Sequence, residues 1–175
     1  GGQALWDSAF LPAVHRGVTL RADGDPILHL TSPDGMDFRT QQQRLRTIVS
    51  MNRLRQQQHA DPEIDTRIAA YELAFRMQTA APELVELSGE SQRTLDAYGV
   101  GGAKSDAFGR NCLLARRMGE RGVRFVQLYH YTWDDHADLN RKLQDNCERT
   151  EQGVAALIHD LDQRGLLDDT LVVWG

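Results

Sequence analysis

The sequence predicts an α/β fold: a mostly parallel sheet flanked by helices, with a large helical portion ahead of it. Three observations carry this expectation. VRFVQLY (123–129) and TLVVW (170–174) are short apolar runs rich in β-branched and aromatic residues, the composition of strands. Between them, from Asp138 to Arg164, apolar residues recur with the 3.6-residue period of an amphipathic helix. Strand, helix and strand at this connection length form a βαβ unit, which pairs its strands in parallel through a right-handed crossover.

The remaining elements follow in order. Residues 1–38 hold Pro12, Pro26 and Pro33 among Gly/Asp turn signals and read as an irregular segment, with short strands possible at VTL (18–20) and ILHL (27–30). Residues 39–98 read as a helical insertion. Its first helix, 39–58, is rich in Gln and Arg, with Leu45, Ile48, Val49 and Leu54 as a modest apolar stripe. Its second, 62–79, places Ile64, Ile68, Tyr71 and Phe75 on one inward face, behind Asp61 as N-cap and Pro62 in the first turn. PELVEL (82–87) is a further short turn of helix, and Ser91 caps SQRTLDAY. After a Gly-rich loop, GVGGAKSD, residues 107–122 form a helix that ends at glycine. Residues 99–175 are thus the α-β-α-β core portion, and 1–175 together read as part of one domain.

With 41% hydrophobic and 26% charged residues, the 175-residue chain has the composition of a folded globular protein. A formal net charge of −5 argues against nucleic acid as a partner, because phosphate neutralisation needs a basic stripe. Arg44, Arg46, Arg53 and Arg55 alternate with glutamines and read as a solvated helix face. No apolar run is long enough to span a bilayer, and no signal peptide opens the chain. The sequence starts at Gly and stops on LVVWG, so it reads as an internal fragment of a longer protein. Cys112 and Cys147 lack metal-site spacing and read as buried free thiols.

Several motifs carry no chemistry. GVGGAKS lacks the Gly-Lys-Ser/Thr of a phosphate loop, since Ala103 precedes Lys104. Cys112 and Arg116 share the offset of the sulfatase Cys-x-Pro-x-Arg signature, but Leu114 stands in the proline's place, within a helix. His15, His29, His59 and His159 are isolated.

The segment after VRFVQLY differs. His130, Trp133, Asp134, Asp135 and His136 gather at the carboxyl end of the first expected strand, where open α/β sheets bind ligands. Asp134 and His136 are two residues apart, so in extended chain their side chains point the same way. A carboxylate oxygen and an imidazole nitrogen suit zinc or a similar transition metal. Two ligands are too few. The spacing leaves a second reading open, in which Asp134 or Asp135 caps the next helix and His136 is solvated.

FLPAVHRGV, PILHL, RIAAYELAFRMQTAAPEL, FGRNCLLARRMGERGVRFVQLYH, WDDHADL and LLDDTLVVWG together resemble the bacterial domain-of-unknown-function family numbered 1501. Its members are often labelled sulfatases and placed in the alkaline phosphatase superfamily. The resemblance covers nearly the whole chain. It implies an alkaline phosphatase-like parallel sheet, a divalent metal centre at the strand ends, and an exported, periplasmic parent more than twice this length. It also implies that Asp134 and His136 belong to the Trp-Asp-x-His metal motif, with His130 and Asp135 as orienting groups or alternative ligands. Zinc is the expected cation, with calcium and magnesium as alternatives, and its other ligands lie outside this segment.

The function so expected is a piece of a metal-dependent sulfatase-like or phosphatase-like ester hydrolase, inactive alone, acting on a small-molecule or polysaccharide ester. The alternative is a non-catalytic binding or scaffold protein that keeps the fold. Which of the two holds depends on further Asp, Glu and His ligands, because fold kinship does not establish chemistry.

Overall fold

A computed structural model of the chain describes residues 37–59, 83–131 and 133–175, together with the single positions 17, 19, 64 and 68. The chain divides into two compact units, Gly1–Glu83 and Leu84–Gly175.

In the first unit, α1 spans Phe38–His59. Its entry is fixed by Asp37, whose Oδ1 accepts the Thr40 backbone N–H at 2.7 Å and satisfies one of the helix's orphan donors. Leu45 and Val49 are half-buried, whereas Ile48 and Leu54 are exposed, so the buried stripe is narrower than expected. Ile64 and Ile68 are helical, and Ile68 is buried. Tyr71 and Phe75 lie outside the described residues, as do the expected strands at 18–20 and 27–30 except for Thr19, which is exposed and in no regular element.

Among its described residues the second unit has a short helical end at 84–85, then three helices and a closing turn. α2 covers Gln92–Ala97 and is capped by Ser91, whose side chain accepts from Thr94 N. α3 covers Asp106–Glu120, α4 covers Leu139–Gln163, and a 3-10 turn follows at Leu167–Asp169. Tyr98, Phe108, Cys112 and Leu113 form the centre of the core, with Leu87, Leu95, Leu128, Val154 and Leu157 packed around it. α3 and α4 cross where glycine faces glycine: a Cβ on Gly153 would stand 3.2 Å from Gly109 Cα and 3.2 Å from Cys112 Sγ. Both cysteines are free, Cys112 buried and Cys147 half-buried.

Charged residues also reach this interior. Arg116 keeps only 4% of its side chain exposed and sits among Glu90 (Nη2–Oε1, 2.8 Å), Glu120 (Nη1–Oε2, 2.8 Å) and Asp160 (Nε–Oδ2, 3.2 Å). Arg117 shares Glu90, Arg164 binds both Glu120 and Asp160, and the Tyr98 hydroxyl donates to Asp160 Oδ2 at 3.1 Å. Three arginines thus meet three carboxylates, and the charge balances inside the cluster, as burial requires. The group ties the 87–90 turn, α2, α3 and α4 together.

The expected sheet is not there. Among the described residues no strand or bridge forms, and the fold is helical. VRFVQLY and TLVVW have strand composition, but a strand exists only through a ladder partner, and neither segment finds one among the described residues. Phe125 is 81% exposed, Leu171 88% and Val173 78%, far from the two-sided burial of a parallel sheet. The α/β, alkaline phosphatase-like reading and its βαβ crossover are therefore corrected: among the described residues α4 joins two segments that form no ladder. What survives of strand character is local. Val126, Leu128 and His130 are half-buried while Phe125, Gln127, Tyr129 and Tyr131 are exposed, the period-two alternation of extended chain lying on a helical layer.

No helix among the described residues is long and apolar enough to cross a membrane.

Candidate functional site

The candidate loop starts from that alternation. His130 falls on its inward side and lands on the helical layer. Its ring stands edge-on to Phe108 of α3 (centroids 5.7 Å apart, 76°), and its Nε2 lies 3.2 Å from Oδ1 of Asn146 on α4. Trp133 also packs against this imidazole, with centroids 5.6 Å apart at 76°. Trp133 in turn meets Trp174 edge-to-face at 6.3 Å, so the carboxyl ends of the two extended segments come together.

Beyond Trp133 the chain runs out to the surface. Asp134 and His136 put Oδ1 and Nδ1 3.4 Å apart, with side chains 95% and 80% exposed. His136 Nδ1 is also 3.4 Å from the Asp134 backbone oxygen. Asp135 goes the other way: only 10% of its side chain is exposed, and it pairs with Lys142 in the first turns of α4 at 3.2 Å. The cap position of α4 is held by Asp138, in left-handed backbone (φ 54°, ψ 38°) and without a side-chain cap bond. Asp134 and Asp135 are therefore not the caps of α4.

The loop so described is a convergent pair, one carboxylate and one imidazole, with a third acid turned away and neutralised. His130 is held by Asn146 and the aromatic rings. Among the described residues no cluster of three or more His, Cys, Asp or Glu could hold a metal ion. An oxygen and a nitrogen donor at this separation fit part of a divalent cation's shell, and a four-coordinate zinc needs two more.

The family described as Protein of unknown function (DUF1501) matches residues 1–175. The chain belongs to DUF1501. No curated protein and no solved structure matches it. The segments from FLPAVHRGV to LLDDTLVVWG thus mark a true family membership, and in this DUF1501 chain the WDDHADL stretch is the convergent loop just described.

Two features of the candidate site escaped sequence reasoning. Asn146, buried at 5% exposure, lies on the face of α4 that also carries Thr150 and Gly153, and a polar residue in that stripe was the available signal. Trp174 was read only as the end of a strand. The Gly-rich loop is tied to its neighbours: Gly99 and Gly101 adopt φ of 71° and 87°, Ser105 Oγ donates to Gly99 O, and Lys104 binds Asp145 and Glu148 of α4.

Proposed function

We propose that this DUF1501 protein is a metal-dependent ester hydrolase of the sulfatase-like or phosphatase-like kind. Asp134 and His136 supply two ligands, and the others come from residues outside the described set. The observation that supports it is the convergence of Asp134 Oδ1 and His136 Nδ1 to 3.4 Å on solvent-facing side chains, while Asp135 is withdrawn onto Lys142. Asp134 and His136 would hold a divalent cation, which would supply polarisation of an ester oxygen and a lowered pKa for a nucleophile.

The chain's own residues prepare the loop. The edge contacts among His130, Trp133 and Trp174 fix where the loop leaves the helical layer. Lys142 satisfies Asp135, so one carboxylate of the pair is left for a ligand. A sulfate or phosphate ester, on a small molecule or a polysaccharide, is the substrate class, and an exported, periplasmic setting fits it.

The test is elemental analysis of the purified full-length protein, wild type against Asp134→Ala/His136→Ala, alongside hydrolysis of aryl sulfate and aryl phosphate. The double variant should lose both the metal and the hydrolysis, yet keep its circular dichroism, since both side chains are exposed. Equal metal in both proteins would overturn the reading.

A further inference from the structure

Asn146 has a place in the molecule that helix packing alone does not account for. It is buried on α4 at 5% exposure, in the stripe that faces α3, where an apolar side chain would serve packing better. Its carbonyl Oδ1 lies 3.2 Å from Nε2 of His130, which arrives on a different segment, sixteen residues earlier. The imidazole also makes T-shaped contacts with Phe108 and Trp133, which restrict its turning away from the amide.

A carbonyl oxygen can only accept. The ring nitrogen facing it must then be the protonated one, and in a neutral imidazole the other nitrogen keeps its lone pair. We infer that Asn146 is a positioning residue that fixes His130 in the Nε2–H tautomer and leaves Nδ1 as the ring's acceptor. This rests on the proposed function for its purpose: a neutral imidazole held in one tautomer is a proton acceptor or an orienting group for the Asp134–His136 loop. The tautomer itself is a property of the chain without metal or substrate. The amide orientation decides everything here. Turned over, Asn146 would donate through Nδ2, Nε2 would accept, and the proton would sit on Nδ1.

The two orientations separate cleanly by nitrogen-15 NMR of the histidine rings of the 175-residue chain, above the pH at which imidazoles protonate. His130 is assigned by comparison with His130→Gln. In the wild type, His130 Nε2 should appear as a protonated nitrogen and Nδ1 as an unprotonated one. Asn146→Asp provides an acceptor-only group of the same shape and should keep that pattern. Asn146→Leu removes the acceptor, and the His130 signals should move toward the average of two tautomers while the other histidines stay where they are.

Protonated Nδ1 in the wild type, or a pattern unchanged in Asn146→Leu, would overturn the inference. So would an Asn146→Asp chain that switches tautomer relative to wild type. A variant that merely unfolds would lose its helical circular dichroism, recorded on the same samples. Loss of metal by Asp134→Ala/His136→Ala plays no part in this readout, so the tautomer assignment and the proposed function fail separately.

Discussion

Gly109 and Gly153 touch backbone to backbone: a Cβ built on Gly153 would stand 3.2 Å from the Gly109 Cα, and one on Gly109 would collide with the carbonyl oxygen of Tyr98. The two positions are not equivalent. At Gly109 the obstacle is backbone, which cannot swing aside, so Gly109→Ala should cost about 1–3 kcal/mol or more, as overpacking does. At Gly153 the gap is short by only a few tenths of an ångström, and the gain in helix propensity, about 1 kcal/mol, offsets it. Thermal unfolding followed by circular dichroism should show a clear drop for Gly109→Ala and little change for Gly153→Ala. Similar drops would mean that the crossing does not depend on the Tyr98 carbonyl.

The buried arginine gives the second prediction. Arg116→Met leaves Glu90, Glu120 and Asp160 facing one another without their shared cation. Removing one partner of a buried ion pair costs about 3–5 kcal/mol, and the lower end applies here because the carboxylates keep some contact with water. Arg110→Met is the control, since the Arg110–Asp106 pair is 40% and 37% exposed and should be worth under about 1 kcal/mol. Denaturant midpoints of the two variants should differ accordingly. Equal midpoints would show that the buried cluster is no stronger than a surface pair.

Burial pushes the Cys112 thiol up to about 12. Its unfolded value is about 8.5, so the folded state holds the proton that the unfolded state releases. Stability from this group is complete below about pH 8.5 and is lost as pH rises toward 12. At pH 8, iodoacetamide should label Cys147 in the native chain and reach Cys112 only in denaturant, as read by mass spectrometry. Rapid native labelling of Cys112 would contradict its place in the core.

The acid side rests on Asp145. Hydrogen bonds from Lys104 first, then Arg149, hold its carboxyl down to about 2. With an unfolded value of about 3.9, the pairing contributes fully above about pH 4 and fades as pH falls to 2. A Lys104→Ala/Arg149→Ala variant should therefore melt below the wild type at pH 6 and converge with it near pH 2. A constant gap across that range would assign the effect to something other than Asp145.

The helices were legible because their signals are local. Ser91 before QRTLDA, glycine after α3, and the apolar period of 138–164 each specify an element without reference to the rest of the chain. The sheet was misread because VRFVQLY and TLVVW supply strand composition, whereas pairing is a property of two segments together. The same distinction divides the site. That Asp134 and His136 share a side, with Asp135 opposed, follows from period two within three residues. That His130 would meet Asn146, or Arg116 meet Glu90 and Asp160, depends on how α3 and α4 cross, which no short window of sequence encodes.

The glycine crossing has a mechanical consequence. Asn146 lies seven residues from Gly153 on the same helix, roughly 10.5 Å along its axis. If the crossing acts as a fulcrum, α4 is a lever, and a tilt of roughly 10° at Gly153 swings Asn146 by nearly 2 Å over that arm. A hydrogen bond that begins at 3.2 Å does not survive such a swing. Bulk at Gly109 that tilted α4 this far would thus release His130 without touching it.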